Sequence, residues 1–297
     1  MRILLTGASG FIGSELRVFL QQAGHQVIRL VRDRKELTGD AIFWNPLTGE
    51  AAKEDFEDFD GVIHLAGKGI AERRWTKKRK EEIFLSRCRD TWLLSQILCR
   101  LYRPPKVVIS ASAIGFYGNR GAEVLTEESP PGKGFLADLC LQWEKGTDAI
   151  ENRGARVVHP RFGAVLGAKG GMLPRMLKVF RFGLGGKLGS GEQFISWIAL
   201  DDLIEGVHHC LITESLSGAV NLVSPHPVKQ REFAHFLAKK VGRPAFCHLP
   251  AFLLKGLLGE MAEELILASQ RVLPKKLLES GYVFHTPDLD HFRTTEF

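Results

Sequence analysis

The residues best placed to do chemistry come at the start of the chain. Gly7, Gly10 and Gly13 recur as GxxGxxG inside RILLTGASGFIG, between an apolar strand-like run and an amphipathic helix-like one. Glycines at this spacing let the backbone turn tightly and approach a pyrophosphate, whose charge then meets the free N–H groups of a helix N-terminus. The pattern predicts a dinucleotide site in the first strand-to-helix turn. Which dinucleotide depends on the end of the next strand, where an acid receives a ribose 2′-hydroxyl and a cation receives a 2′-phosphate. That strand ends RLVRDR, with Val31 at the acid position, Arg32 after it and Arg34 close by. A planar guanidinium binds phosphate bidentately, so NADP(H) is favoured. Asp33, as a displaced NAD-type acid, is the alternative.

Such a turn needs a sheet to carry it. Strand-like RILLT, HQVIRLV, GVIHLAG, KVVISASA and ARVVHPRFGAVLG alternate with helix-like SGFIGSELRVFLQQAG, EEIFLSRCRDTWLLSQILCRL and FLADLCLQWEKGTDAIENRG. Repeated strand–helix units with apolar strands predict an α/β fold, a Rossmann-type doubly wound parallel sheet. We place it over residues 1–224, with GAVNLVSP as one more strand and 167–200 contributing to a substrate cleft. Residues 225–297 read as a smaller, mainly helical C-terminal lobe.

Composition narrows the function classes. Five Cys without a CxxC pair fit a reducing cytosol rather than a disulfide framework or zinc knuckle. Arg2, a short apolar run and then glycines do not make a signal peptide, and no apolar stretch approaches the ~20 residues of a membrane span. The expectation is a cytoplasmic protein with no membrane partner. Scattered His64, His159, His208, His209 and His235 show no ligand spacing, so no metal is expected. The net charge of +6 is partly concentrated in RRWTKKRK, Arg73–Lys80. This run reads as a solvated helix face or a cationic site for a small anion; without interleaved aromatics it is not expected to bind nucleic acid.

TGASGFIG, DGVIHLAG (Asp60–Gly67) and SASAIGFYG (Ser110–Gly118) resemble successive strand motifs of extended short-chain dehydrogenase/reductases. RRW, FLADLCLQWE, GGMLPRMLKVFRFGLGGKLGSGEQFISWIALDDL and the tail from NLVSPHPVKQREFAHFLAKKVGRP to LPKKLLESGYVF are similar to one branch, the YfcH-like epimerase family proteins. These are atypical relatives of nucleoside-diphosphate-sugar epimerases with a C-terminal domain of unknown function. The likeness runs through essentially the whole chain. It implies a Rossmann domain with a C-terminal lobe, NADP(H) as cofactor and a small-molecule substrate. Residue by residue, it implies cofactor contacts from Gly7, Gly10, Phe11, Ile12 and Gly13, from Val31 and Arg32, and from Leu65, Ala66 and Gly67. It adds Ala164 near the nicotinamide, and Glu82 and Arg87, for which a charged surface pair is the alternative.

The same resemblance exposes a loss. The family helix carries YxxxK and, four residues later, Glu; with that Glu at Glu144, Leu136 takes the Tyr position and Cys140 the Lys position. A phenol near pKa 10 needs a neighbouring cation to act at neutral pH, and losing such a group costs ~10²–10⁴-fold. Catalytic candidates are Ser112, where the family places its active Ser, and Tyr117, which could equally be packing. Asp138 reads as solvated, and Cys140 as a buried thiol unless its pKa is lowered. Gly183–Trp197 reads as a substrate loop, with Lys187, Arg181, Gln193 and Trp197 as contacts, or as a connector. Two functions follow: an NADP(H)-dependent oxidoreductase or epimerase-like enzyme acting on a small polar molecule, or a non-catalytic NADP(H) sensor or scaffold. Neither sets an oligomeric state.

Overall fold

The structure, a computed structural model, describes residues 1–48, 50–51 and 53–292. Its main sheet has nine strands. The parallel ones are β1 (Arg2–Thr6), β2 (Gln26–Val31), β3 (Ala41–Asn45), β4 (Gly61–His64), β5 (Val107–Ser110), β6 (Arg156–Phe162) and β7 (Gly218–Leu222). They lie in the order β7-β6-β5-β4-β1-β2-β3. Glu50–Ala51 returns antiparallel to β3, and Ser112–Ala113 runs beside β6.

The helices are α1 (Phe11–Gln22), α2 (Lys77–Phe84), α3 (Asp90–Leu98), α4 (Phe135–Lys145), α5 (Asp148–Asn152), α6 (Leu173–Arg181), α7 (Leu200–Ile212), α8 (Gln230–Val241), α9 (Ala251–Leu258) and α10 (Lys275–Glu279). A π turn, Leu85–Arg89, joins α2 to α3 without breaking the helical run, so the long helix read from the sequence carries one extra residue's worth of twist. Thr76 starts it by accepting the N–H of Arg79.

Because strand side chains alternate, each strand feeds two cores. Ile3, Leu5, Ile63, Ile109 and Val158 pack with Leu16 and Leu20 of α1 and Leu203 and Val207 of α7. Leu4, Ile28, Val62, Val108 and Val157 pack on the other face with Leu94 and Leu98 of α3 and Ile150 of α5. Helices on both faces explain why these strands are uniformly apolar. The strand order reverses between β4 and β1, which opens a crevice at their carboxyl ends.

The C-terminal part is tied back to this sheet. Arg271–Val272 pairs with Val124–Leu125. The buried Asp202 of α7 accepts the backbone N–H groups of His285 and Thr286 at 2.8 Å each. A third core joins α6 and α8 around Trp197, Phe233 and Phe292. Among the described residues no helix is long and apolar enough to cross a membrane.

Candidate functional site

The crevice between β1, β2 and β4 holds a cleft of about 390 Å³, lined by Gly7, Gly10, Val31, Arg32, His64, Leu65, Ala66 and Gly67 among others. Its floor explains two of the glycines. Gly7 has φ +71°, and a Cβ there would lie 2.9 Å from the Leu65 carbonyl carbon; one on Gly13 would lie 2.1 Å from the Gly7 oxygen. The turn packs backbone on backbone, leaving room for an incoming phosphate at the start of α1. Phe11 turns the other way, its ring covered by Gly167, Gly170 and Gly171, and Ile12 joins the α1-side core.

Arg32 is exposed on the rim of this cleft. The Asp33 carboxylate accepts the N–H of Lys35 at 2.9 Å, capping the short helix Arg34–Glu36. The Arg34 guanidinium lies 4.3 Å from the centre of the Phe43 ring. Of the cations after β2, Arg32 is the one that lines the cleft, beside the acids Asp33 and Glu36.

The turn after β4 is locked from beneath. Thr6 Oγ1 accepts the N–H groups of Leu65 and Ala66, both at 3.1 Å, so its single proton goes to Nδ1 of His64 at 2.7 Å. These partners assign the other ring nitrogen as the protonated one, donating to Thr91 Oγ1 at 3.0 Å. Trp143 of α4 donates to the same hydroxyl at 3.0 Å. Burial pushes the His64 pKa down to about 4, which keeps the ring neutral.

Glu82 and Arg87 hold the same turn from above rather than forming an isolated surface pair. Glu82 is flanked by Lys68 at 3.2 Å and Arg79 at 3.1 Å, and hydrogen bonds from these cations hold its carboxyl below the usual range. Arg87 donates to the Lys68 carbonyl at 2.9 Å, its guanidinium 5.1 Å from the Trp143 ring centre and close against Gly67. It has no carboxylate partner among the described residues, and burial lowers its pKa. A half-buried guanidinium without a carboxylate partner, close against Gly67, is suited to a cofactor's negative charge.

Leu136 and Cys140, which the resemblance aligns with the family's Tyr and Lys, lie in two different apolar clusters. Leu136 packs with Ala111, Leu139 and Trp143, against Leu65 and Phe162, near the carboxyl ends of the strands. Cys140 lies instead in the cluster of Ile114, Phe116 and Tyr117, and burial raises its thiol to about 12. Neither offers a proton or a charge.

Ser112 donates to Glu144 Oε1 at 2.7 Å. Glu144 is gripped bidentately by Arg161 of β6, at 2.8 Å on each oxygen. Arg161 also donates to the Tyr117 hydroxyl at 2.9 Å, and that hydroxyl donates to Asn221 Oδ1 at 2.7 Å. Tyr117 thus differs from the expected cleft hydroxyl. It is wholly buried, both sides of its oxygen are taken, and burial raises its pKa. The sequence reading missed Glu144–Arg161 as a unit; the signal was a lone Arg inside the apolar strand VVHPRF. It also missed Glu264, whose carboxylate accepts the N–H groups of Phe135 and Leu136 at 2.9 and 2.7 Å and caps α4 from the C-terminal lobe.

Ala164 opens the short strand Ala164–Gly167, paired with Trp197–Ala199. Of the glycine-rich segment, Gln193 and Trp197 are interior: the Gln193 amide donates to the carbonyls of Leu188 and Ile266, and Trp197 belongs to the third core. Gln193 and Trp197 therefore serve packing, while Arg181 is exposed and Lys187 half-buried. In RRWTKKRK, Lys80 pairs with Glu260 at 2.8 Å, Arg79 with Glu72 and Glu82, and Trp75 packs on Phe135. Part of the run thereby bridges the cleft edge to the C-terminal lobe.

Comparison with known proteins agrees with this geometry. Residues 3–222 match the model of the NAD dependent epimerase/dehydratase family, and residues 249–292 match a domain of unknown function, DUF1731. The chain is 40% identical over 283 residues to epimerase family protein Mb2239 of Mycobacterium bovis, covering 95% of this chain and 93% of that one. It is 36% identical over 293 residues to epimerase family protein YfhF of Bacillus subtilis, covering 98% and 96%. The crystal structure of human epimerase family protein SDR39U1 (isoform 2) with NADPH superposes with a TM-score of 0.90 at 31% identity, covering 100% of this chain and 99% of that one.

Proposed function

Because the chain belongs to the NAD-dependent epimerase/dehydratase family, we propose that it is an atypical short-chain dehydrogenase/reductase using NADP(H), an oxidoreductase or epimerase-like enzyme on a small polar molecule. The observation that carries the cofactor choice is Arg32 on the cleft rim, with one oxygen of the neighbouring Asp33 engaged in a helix cap. The human relative's solved structure with NADPH supports the same choice.

Bound NADP(H) supplies hydride transfer at its nicotinamide. The chain's own residues do the rest. The Gly7–Gly13 turn receives the pyrophosphate, Arg32 the 2′-phosphate, and Leu65, Ala66 and Gly67 flank the cofactor from β4. Arg87 neutralises negative charge beside Gly67 and puts a cation on the side of α4 where the usual Lys is missing. Ser112, buried and donating its proton to Glu144, keeps a lone pair that can accept from a substrate hydroxyl. Tyr117 acts as a positioning residue behind Arg161.

A second reading, an NADP(H) sensor or scaffold without turnover, is favoured by one observation: both vacated positions are filled by buried groups that cannot exchange a proton at neutral pH. Fluorescence titration tests the cofactor. NADPH should bind at least ~tenfold tighter than NADH, and Arg32→Ala should erase most of that difference; equal affinities in the parent would sink the assignment. A substrate screen at the nicotinamide absorbance separates the functions. Turnover lost in Ser112→Ala supports the enzyme, and tight NADPH binding without turnover of any compound supports the sensor.

A further inference from the structure

Two stretches of the chain carry no carboxylate at all. Residues 168–191 hold Lys169, Arg175, Lys178, Arg181 and Lys187, and residues 233–259 hold Lys239, Lys240, Arg243 and Lys255. The rest of the chain carries all 34 acids, so this segregation is not an effect of composition. The fold brings the stretches together. Gly186–Leu188 pairs with Cys247–Leu249, the Cys247 N–H donates to the Gly185 carbonyl at 3.2 Å, and its Sγ lies 3.7 Å from the Gly183 oxygen.

Around that contact the surface is unusually apolar. Phe182 is 72% exposed, Leu184 65% and Phe246 87%, with Val179 of α6 also exposed. The strand leads directly into α9, where Phe252 and Leu257 are 71% and 65% exposed. Lys178, Arg181 and Arg243 stand beside these side chains, exposed, and have no side-chain partner among the described residues. An ordinary soluble surface scatters single apolar residues among mixed charges. Here large apolar tips stand with the unpaired cations Lys178, Arg181 and Arg243, neither stretch carries an acid of its own, and at the α9 end Lys255 is paired with Glu263 at 2.8 Å.

We infer that this face docks on an anionic lipid bilayer as a peripheral contact. The occupant must be apolar and negatively charged at once, and must tolerate aromatic tips on rigid elements. The headgroup boundary of an anionic membrane meets all three conditions: Phe and Leu enter the acyl edge and the cations meet the headgroups. The sequence expectation of no membrane partner addressed spanning helices, which a surface contact does not need. The face lies outside the cofactor cleft, so the inference stands apart from the proposed reaction.

The test is sedimentation of the full-length protein with vesicles of phosphatidylcholine containing one-third phosphatidylglycerol, and with phosphatidylcholine alone. The protein should pellet with the anionic vesicles at physiological salt, be released at high salt, and stay free of the neutral ones. Lys178→Ala/Arg181→Ala should lower vesicle affinity about 25-fold, near fivefold for each cation. Phe182→Ser/Phe246→Ser should abolish binding, while unchanged NADPH binding shows both variants folded. No pelleting by the parent, equal pelleting with neutral vesicles, or full binding by folded variants would overturn the inference. So would a dimer in light scattering that Phe182→Ser/Phe246→Ser splits without any vesicle binding, since a second copy would then be the face's occupant.

Discussion

Replacing Arg161 with Met removes one half of an ion pair that is almost closed to solvent, the side chains being 4% exposed for Arg161 and 13% for Glu144. The Glu144 carboxylate loses two charge-assisted hydrogen bonds of 2.8 Å and keeps only the Ser112 hydroxyl. The Tyr117 hydroxyl loses its donor at the same time. Stranding a buried carboxylate in this way costs about 3–5 kcal/mol, a large share of the 5–15 kcal/mol that typically holds a domain folded. Removing both charges, in Arg161→Met/Glu144→Leu, leaves no stranded ion, so the double variant should be more stable than the sum of the single losses by about 2 kcal/mol. Urea unfolding followed by tryptophan fluorescence measures each term of this cycle. An Arg161→Met variant within about 1 kcal/mol of the parent, or strictly additive losses, would refute the argument that Arg161 is there to neutralise Glu144.

Gly13→Ala places a Cβ 2.1 Å from the Gly7 oxygen, so the phosphate turn must open and NADPH affinity should fall at least ~tenfold; unchanged cofactor titration would show that the turn yields freely. His64 has a folded pKa of about 4 against an unfolded value of 6.5. The unfolded chain therefore takes up the proton first, and stability drains away as pH falls through that window, by roughly 3 kcal/mol in all. The urea midpoint should drop between those pH values in the parent and much less in His64→Asn; a flat parent profile would count against a neutral buried ring. Burial raises the thiols of Cys88, Cys140 and Cys210 to about 12, so iodoacetamide at mildly alkaline pH should modify the half-buried Cys99 and Cys247 first. Early alkylation of Cys140 by mass spectrometry would reopen it as a reactive group.

What the sequence determined by itself is what local backbone chemistry controls. Gly7 and Gly13 are set by a turn closing within a few residues, and the uniformly apolar RILLT and KVVIS by burial on both faces of a parallel sheet. That Leu136 and Cys140 stand where the family carries Tyr and Lys is implied by the resemblance of the sequence to that family. Only the tertiary structure decided how separated charges are spent. That one oxygen of Asp33 caps the short helix through the Lys35 N–H is visible only in the folded chain. Glu82 and Arg87 could be a surface pair until the Lys68 turn was found between them. Tyr117 could face the cleft until Arg161 and Asn221 closed around its hydroxyl. Glu264 reaches the start of α4 from 128 residues away, and no periodicity reports such a partner. The physical reason is range: a turn or a strand is specified by neighbours along the chain, whereas the role of a polar side chain is set by whichever group folding delivers within about 3 Å of it.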